Sequence, residues 1–591
     1  MKYYNKYRFL LLIIPFAWLA GATSCKKILE QEPRNSTYDE VFWKTSRDLA
    51  SILSGNYSLL RASFAATAAF DANAFRYYMY GDVQTTGTSY VTMNYTGDGL
   101  EGIQGGDFTF QYNIQTLGDW TNFYKTIALS NIIIKRTPTV ADAELEKDIA
   151  DVAGFKNSII GQALFIRALS YFELVKVYGD VPLVTEAYED VISAPHLPRT
   201  DKLIVMKQIE DDCHEAMKML GWGYETASQR GVTANRGSVY ALLAHLYLWR
   251  ATMSNVKTDA PIMSDVNSAD STLRTLINNG GYMLADTAKY GEQFINPSTE
   301  SIFEIAMSEN NMEGAYNHIG LGFLTGDYIQ GNGYTPRFWV PENYINTHYQ
   351  TPKTGYGEGW VYRASTDWQW LELKVVGTNY YITENGVEID VTAGVDGGNA
   401  GGYAYVYYAD IDDYKSELVG GFGPDEGEVR YRNNFTKSGT QGYTLIKYRN
   451  VIYRNPGNKT SPYISNNLPI FRLSDMKLLQ AEVAIYKGEL STAINIINGF
   501  RDRNNANLAN RIKANANKET VLYEYMLERG KELYMEGQVY FDLMRTRTYG
   551  EFISWMSVSR FQGEGFYWPI YPLLFNDNKF LTQTTYWRGK I

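Results

Sequence analysis

The chain has 591 residues, a formal net charge of −10 and two cysteines. This length suffices for a large core or about two to three domains, and an acidic balance without a basic patch argues against nucleic acid as a partner. Tyrosine, with 48 residues, outnumbers phenylalanine, with 26, and there are 12 tryptophans. Because Tyr and Trp join a polar group to an apolar ring, this excess is typical of half-hydrated recognition surfaces, although many of the rings can simply pack with their hydroxyls reaching water.

Residues 1–24 have the features of an export signal that ends at a cysteine. Basic residues come first, an apolar run extends from Phe9 to Ala20, and small residues lead to Cys25. A membrane-spanning helix needs about 20 apolar residues. This run is shorter and contains Pro15, so a cleaved leader is favoured over an anchor helix. We predict a bacterial lipoprotein signal with acylation of Cys25, and plain secretion is the alternative.

Helical periodicity predominates from residue 37 to residue 289, apart from a Gly/Tyr/Thr-rich aromatic loop at 70–112. The pattern predicts helices over 160–178, 201–220 and 234–253, and Gly179 and Pro182 should end the first of them. The helix over 234–253 has two apolar faces, which suits a stack of helix pairs.

Cys213 lies in the helix predicted over 201–220 and is the one cysteine left once Cys25 is acylated. No disulfide can then form within the mature chain. Cys213 is best interpreted as a small buried hydrophobic residue.

Helical periodicity fades over residues 290–467, where alternating patterns predict strands at 301–307 and 403–408. Strong helices return over 473–487 and 490–504, and an irregular tail follows. We therefore predict an all-α, mainly helical fold with an irregular, loop-rich subdomain that contains short strands. The helices 201–220 with 234–253, and 473–487 with 490–504, should form antiparallel pairs of a helical repeat.

The familiar catalytic motifs are missing from the sequence. It contains no HExxH, CxxC or GxSxG motif, and its five histidines lack metal-ligand spacing. The segment Asn455–Thr460 has a Lys-Thr pair but no phosphate-binding loop, and is interpreted as a turn. We predict that the protein is not an enzyme and has no cofactor.

Two groups of carboxylates are candidates for functional sites. Asp410, Asp412 and Asp413 share one loop, where a solvated acidic loop is favoured over a structural calcium ion because the glycine and glutamate of an EF-hand are missing. Glu528, Glu532 and Glu536 recur every four residues on one helix face, which favours a structural ion network with nearby basic residues. A pair of carboxylates that cleaves a glycosidic bond is defined by spatial separation, so a glycoside hydrolase stays a less favoured alternative.

Several segments, in collinear order over nearly the whole mature chain, resemble the SusD/RagB family of lipid-anchored nutrient-binding proteins. The segments that carry the resemblance are Lys26–Pro33, Phe42–Thr45 with Asn56, Tyr57 and Leu60, Phe165–Ala168 with Tyr171, Phe172 and Tyr178–Leu183, Arg472–Asp475 with Leu478–Glu482, Ile497, Asn498, Arg501 and Arg503, the pairs Glu528-Arg529, Glu532-Leu533, Glu536-Gly537 and Asp542-Leu543, and Pro569, Ile570, Asn576 and Leu581–Gln583. The chain departs from the family pattern at Gln538-Val539, where a basic residue is usual, and at Lys26-Lys27, where acidic residues often promote surface display.

The resemblance implies four tetratricopeptide-like helix pairs and a looped subdomain that carries the ligand contacts. It also implies an outer-membrane lipoprotein that faces the cell exterior and captures oligosaccharide or polysaccharide for a SusC-like TonB-dependent transporter. Peptide capture on the same scaffold is the alternative. The implied organisation is a signal peptide (1–24), a lipidated tether (25–36), a first scaffold part (37–289), a ligand-binding subdomain (290–467) and a C-terminal scaffold part with the tail (468–591).

Two segments combine aromatic side chains with the amides and acids that bind sugar hydroxyls. Flat aromatic rings complement the C–H faces of sugars, and the competing interpretation is that half or more of these rings pack within the subdomain. The predicted ligand-binding residues in the first segment are Tyr77, Tyr78, Tyr80, Asp82 and Asn94, and those in the second are Trp339, Asn343, Trp360, Asp367, Trp368 and Trp370.

Overall fold

The computed structural model describes most of the chain between residues 43 and 590. The described residues are 43–65, 77, 81–82, 104–106, 118–188, 195–224, 226–307, 319–330, 336, 338–349, 354–363, 368–376, 379–384, 386–390, 403–407, 428–438, 442–504, 506 and 511–590. The predicted lipidation site Cys25 and the predicted tether lie outside them, as do Asp410, Asp412 and Asp413.

Helices predominate in the described residues. The helices are α1 (Ser46–Phe64), α2 (Thr121–Arg136), α3 (Asp142–Leu145), α4 (Val152–Tyr178), α5 (Lys202–Met219), α6 (Arg236–Met253), α7 (Met263–Asn279), α8 (Ile319–Phe323), α9 (Glu342–His348), α10 (Val429–Asn434), α11 (Leu473–Lys487), α12 (Leu490–Arg503), α13 (Lys518–Glu532), α14 (Val539–Thr546), α15 (Tyr549–Phe552), α16 (Val558–Gln562) and α17 (Leu574–Asp577). Short 3-10 helices cover Thr137–Thr139, Ala227–Gln229, Thr287–Phe294 and Thr585–Trp587. The mainly helical fold predicted from the sequence is confirmed.

Polar side chains fix where the long helices begin. Thr45 and Asp48 form a capping box at α1, Asp151 caps α4, and Asn235 caps α6. Each cap satisfies backbone N–H groups that have no partner within the helix.

The long helices form four packed pairs, α1 with α2, α4 with α5, α6 with α7, and α11 with α12. Helix α5 also packs on α6, and α7 packs on α11, so the pairs join into one continuous stack. The predicted contacts between the helices near 201–220 and 234–253, and between α11 and α12, are present. The closer neighbour of α5 is nevertheless α4, because nearly all side chains of α4 from Gly161 to Tyr178 are buried in the core.

Helix α4 is the central helix of this stack. Within the described part of the chain it is the one helix long and apolar enough to cross a membrane, and most of its residues are buried by neighbouring elements. Cys213, on α5, is also fully buried, as predicted, and burial raises the pKa of its thiol well above the usual value.

The strands lie in the region that separates the two parts of the helical scaffold. The strands are β1 (Ser301–Ile305), β2 (Thr354–Arg363), β3 (Trp368–Val376), β4 (Asn379–Glu384), β5 (Val387–Asp390), β6 (Tyr403–Tyr407), β7 (Phe435–Ser438), β8 (Gly442–Leu445), β9 (Val451–Asn455), β10 (Thr460–Ile464) and β11 (Leu468–Arg472). β1 pairs antiparallel with β11, so the intervening chain leaves the scaffold and returns to it at one place. β9 and β10 form a hairpin, which confirms the turn predicted at Asn455–Thr460.

A five-stranded antiparallel sheet with the order β5-β4-β3-β2-β6 forms within this intervening region. The strand predicted at 403–408 is its edge strand β6, and the strand predicted at 301–307 is β1. The sequence analysis did not predict β2 to β5, so this region contains more regular sheet than expected.

Gly179 ends α4 with φ at 74° and ψ at −114°, a conformation that is costly for any residue with a Cβ atom. A Cβ added there would lie 2.9 Å from the ring of Tyr567. We therefore expect Gly179→Ala to lower the free energy of unfolding by about 1–3 kcal/mol, as measured by urea denaturation. The matched control is Gly457→Ala, because an added Cβ at Gly457 meets no atom within 4 Å. Equal unfolding midpoints for the two variants would contradict this explanation of the helix end.

Candidate ligand-binding surface

Six aromatic residues occupy adjacent register positions on three neighbouring strands of the five-stranded sheet. In one row, Trp360 on β2 pairs with Trp370 on β3 and with Tyr407 on β6. In the next row, two residues along, Tyr362 pairs with Trp368 and with Tyr405. We call these six residues the aromatic ladder.

The backbone register places the whole ladder on one face of the sheet. Residues directly opposite each other in an antiparallel pair, and residues two apart along a strand, share a face. Residues within a row lie directly opposite each other, and the two rows are two residues apart along each strand. Three of the predicted ligand-binding residues, Trp360, Trp368 and Trp370, are therefore brought to one face.

The same face is the solvent side of the sheet at β4 and β5. Continuing the register from β3, Lys374 pairs with Tyr381, which pairs with Asp390, and Thr383 pairs with Glu388. Thr383, Glu388 and Asp390 are exposed, and Tyr381 is half-buried.

The alternate positions of β2, β3 and β4 form the other face, in which aliphatic residues and glycines predominate. They include Leu371, Leu373 and Ile382. One aliphatic face and one polar or aromatic face is the usual pattern of an antiparallel sheet with one solvated side.

Trp339 and Asn343 lie outside the five-stranded sheet, Asn343 in the first turn of α9 and Trp339 three residues before α9 begins. Trp339 is half-buried next to the bridge between Val340 and Tyr443. Asn343 is exposed and its Oδ1 accepts a bond of 3.4 Å from Thr347 Oγ1.

Tyr77 and Asp82, both predicted as ligand contacts, are buried inside the protein. Asp82 accepts hydrogen bonds from the backbone N–H groups of Gly537 and Val539, both at 2.8 Å. Burial raises the pKa of Asp82 to about 7, against the lowering effect of these two bonds. Tyr77 is 3% exposed and its hydroxyl accepts a bond of 3.0 Å from Gln538 Nε2. These contacts give the two residues a structural role, as a correction to the sequence-based assignment.

Gln538, at the position where the resemblance leads one to expect a basic residue, makes this buried hydrogen bond to Tyr77. The sequence alone does not indicate this contact, because 461 residues separate its two partners. The remaining predicted residues, Tyr78, Tyr80, Asn94 and Asp367, lie outside the described part of the chain and stay predictions.

The structure confirms that Glu528, Glu532 and Glu536 belong to an ion network. Arg430 contacts Glu528 at 2.8 Å and Glu532 at 3.2 Å, and Arg472 contacts Glu532 at 3.0 Å and Glu536 at 2.8 Å. Lys447 and Arg501 add ion pairs with Glu536 and Glu528.

The arginines also set the charge state of the central carboxylate of this network. Burial alone would raise the pKa of Glu532, but the charges of Arg472 and Arg430 lower it to about 2. All three glutamates are buried, so they act as counter-ions within the core, with no access for a substrate.

Within the described residues, no group of three or more His, Cys, Asp or Glu side chains is arranged to hold a metal ion. A stack of helix pairs, interrupted by a region with a polar and aromatic sheet face, defines the class of the protein. It is a helical repeat protein of the tetratricopeptide-like kind, with an inserted surface region.

Comparison with known families identifies the chain more closely. Residues 27–248 match a SusD-like family model described as starch-binding associating with outer membrane, and residues 299–587 match the model of the SusD family. The chain belongs to the SusD/RagB family.

Relatives cover nearly the full length. A SusD-like protein of Formosa agariphila is 24% identical over 574 residues, which is 96% of either chain. A second SusD-like protein of the same organism is 26% identical over 235 residues, 39% of this chain and 42% of the relative.

Solved structures share the fold. A SusD superfamily protein from Bacteroides thetaiotaomicron superposes with a TM-score of 0.64 at 17% identity, covering 92% of this chain and 99% of that one. NanU of Bacteroides fragilis gives a TM-score of 0.61 at 18% identity, covering 94% and 99%. These likenesses bear out the expected helix-pair scaffold.

Proposed function

We propose that the protein is a non-catalytic, cell-surface glycan-binding lipoprotein that captures oligosaccharide or polysaccharide and delivers it to a SusC-like TonB-dependent transporter. The observation that carries the proposal is the backbone register, which places the aromatic ladder on the sheet face that is exposed at Thr383, Glu388 and Asp390. Strands lie about 4.8 Å apart and alternate residues about 6.7 Å apart along a strand, so the six positions form two short rows of closely spaced aromatic residues.

Aromatic residues at this spacing suit a chain of sugar rings. Each ring of a glycan has an apolar C–H face that can pack on an aromatic ring, and its hydroxyls need polar partners at the margin. Thr383, Glu388 and Asp390 provide such exposed polar groups on the same face. A platform of this kind binds without bond cleavage, which agrees with the structural role of the carboxylates Glu528, Glu532 and Glu536.

The lipid anchor predicted at Cys25 supports the delivery part of the proposal. Acyl chains contribute about 0.8 kcal/mol per buried CH2 group, and two or more chains hold a protein stably on a membrane. An anchored receptor works at a high effective concentration beside a membrane transporter, so modest affinity for glycan is sufficient.

Affinity electrophoresis against a panel of polysaccharides tests the proposal. We expect the chain to be retarded by at least one polysaccharide, and Trp360→Ala and Trp370→Ala each to weaken this binding at least about tenfold, equal to about 1.4 kcal/mol. Trp339→Ala measures in parallel whether α9 contributes to the same surface.

The matched control is Tyr523→Ala, an aromatic residue on α13 that is 38% exposed and lies outside the sheet. Its binding should equal that of the unaltered chain. Affinity for peptide digests with none for any polysaccharide would overturn the glycan proposal in favour of peptide capture. Unchanged retardation of both tryptophan variants would rule out the aromatic ladder as the site.

A further inference from the structure

A cavity that is separate from the sheet lies in the helical scaffold. Its volume is about 570 Å³, within the range of about 300–1,000 Å³ that is usual for small-molecule sites. One face of α1, the first turns of α4, and the connection from Met219 to Asn235 form its walls, and Ala306 follows β1 at its margin. We call this cavity the scaffold pocket.

One wall of the scaffold pocket is a row of mutually fixed polar groups. The Tyr57 hydroxyl donates to Gln162 Oε1 at 2.7 Å and accepts from the Ala234 N–H at 2.9 Å. Gln162 Nε2 in turn donates to Ser158 Oγ at 3.1 Å. Because a serine hydroxyl can accept and donate at once, Ser158 can still donate to a molecule in the cavity. The row is therefore preorganised and retains hydrogen-bonding capacity.

The charge of the lining selects against cations. Among the described residues of the lining, Arg61 is the one charged side chain and none is a carboxylate. Arg61 donates to the Ala306 carbonyl at 3.1 Å and to Ser58 Oγ at 3.2 Å. A cationic ligand would therefore find no counter-charge, although the chain as a whole has a net charge of −10.

The remaining lining combines rings with small residues. Tyr57, Phe155 and Tyr224 supply aromatic surface, and Gly221 and Gly223 leave room beside them. A purely apolar ligand would leave the hydroxyl and amide groups of the polar wall without partners, which is costly. A neutral molecule with hydroxyls around a ring with apolar faces satisfies both parts of the lining.

We propose that the scaffold pocket is a second binding site that takes a monosaccharide or disaccharide. The site stands on α1, α4 and the connection between α5 and α6, whereas the aromatic ladder stands on β2, β3 and β6. The inference therefore does not require the sheet to bind glycan, and each site can be tested without the other.

Isothermal titration calorimetry on the full mature chain tests this site. The probes are glucose, galactose, N-acetylglucosamine, maltose, cellobiose and lactose. Gly223 belongs to the lining, and an added Cβ there meets no atom within 4 Å, so Gly223→Leu should fold normally and narrow the cavity. We expect at least one of the six sugars to bind, and Gly223→Leu to weaken its binding at least tenfold. Ser158→Ala should weaken it about threefold or more, because it removes a hydroxyl donor of the polar wall.

The matched control is Gly457→Leu, which introduces the same side chain in the exposed turn between β9 and β10, also with no atom within 4 Å of the added Cβ. Its affinity should equal that of the unaltered chain, and thermal unfolding should show that both leucine variants are folded. Binding of none of the six sugars overturns the proposal, and so does equal affinity in Gly223→Leu. A sugar whose binding is lost in Trp360→Ala and kept in Gly223→Leu also overturns it, while leaving the sheet proposal in place.

Discussion

Replacing Arg472 by methionine should lower the free energy of unfolding by about 3–5 kcal/mol, because it leaves buried carboxylates without their counter-charge. Arg472 ends β11 and is 4% exposed. Its guanidinium contacts Glu300, donates to Glu532 Oε1 at 3.0 Å and to Glu536 Oε2 at 2.8 Å, and donates to the Glu532 carbonyl at 2.6 Å. One side chain thus links the start of β1, α13 and the turn that follows α13.

The remaining cations do not replace it. After the substitution, Lys447 still pairs with Glu536 and Arg430 with Glu532. Glu300 keeps hydrogen bonds from Ser474 Oγ and the Ala285 N–H but loses its ion pair with Arg472. Methionine fills a similar volume, so the measured loss reports the charge and its hydrogen bonds more than any change in packing.

Arg274→Met is the matched control for this experiment. The Arg274 side chain is 59% exposed and pairs with Asp270, which retains Lys487 as a second partner. An exposed ion pair contributes about 0–1 kcal/mol, so the control should unfold close to the unaltered chain in urea. If Arg472→Met lost less than about 1 kcal/mol, the network would not be a main source of stability for the junction between the two scaffold parts.

The same network shows why some of the structure was predictable from sequence. The interval of four between Glu528 and Glu532 places these two on one face of α13 by local geometry alone. The helix ends at Glu532, so the single helix face predicted for all three glutamates is wrong for Glu536, which follows in the turn after α13. The long helices are likewise local, since their periodicity and the stop at Gly179 are contained in the segment itself. The partners Arg430 and Arg472 come from distant parts of the chain, and no local pattern identifies them.

The five-stranded sheet illustrates the opposite case. β2 contains Gly355, Gly357 and Gly359 at alternate positions, and glycine is depleted in strands. The local sequence therefore predicts a loop, although the glycines all fall on the aliphatic face opposite the aromatic ladder. The strand is stabilised by its pairing with β3, which the local sequence of β2 does not indicate.

The assignment of ligand-binding residues failed at Tyr77 and Asp82 for a related reason. A Gly/Thr-rich surrounding suggested an exposed loop, and the groups that hydrogen-bond to these two residues, in Gly537, Gln538 and Val539, lie more than 450 positions later. Burial by a distant segment leaves no periodic signal. Trp360, Trp368 and Trp370 were identified by the composition of their segment. Their common face follows from a strand register that the sequence analysis did not predict.

The second large effect concerns Glu304 on β1, whose stability contribution should depend on pH. Glu304 is buried, its Oε2 accepts a hydrogen bond of 2.9 Å from Asn467 Nδ2, and its other oxygen accepts one from Ser301 Oγ. Burial raises the pKa of Glu304 from 4.5 to about 7, and the nearby charge of Glu536 acts in the same direction. The folded protein therefore keeps a proton on Glu304 over a range of pH in which the unfolded chain has lost it.

The sign of the effect follows from proton binding. Between about pH 4.5 and pH 7 the folded state binds more protons at this site than the unfolded state, so the free energy of unfolding falls as the pH rises. Glutamine has nearly the same shape and cannot ionise, and Ser301 can accept a hydrogen bond from its amide. Relative to the unaltered chain, Glu304→Gln should thus gain on the order of 2–3 kcal/mol of stability between pH 5 and pH 8.

Urea unfolding of both chains at pH 5 and pH 8 measures this difference directly, and other titrating groups cancel because they are common to the two. Glu292→Gln, at an exposed position on the 3-10 helix before β1, serves as the control and should show the same small difference at both pH values. A pH-independent difference for Glu304→Gln would mean that Glu304 is ionised in the folded protein. In that case β1 would contain a buried carboxylate charge beside Asn467. Arg472 would then have to stabilise four carboxylates, those of Glu300, Glu304, Glu532 and Glu536.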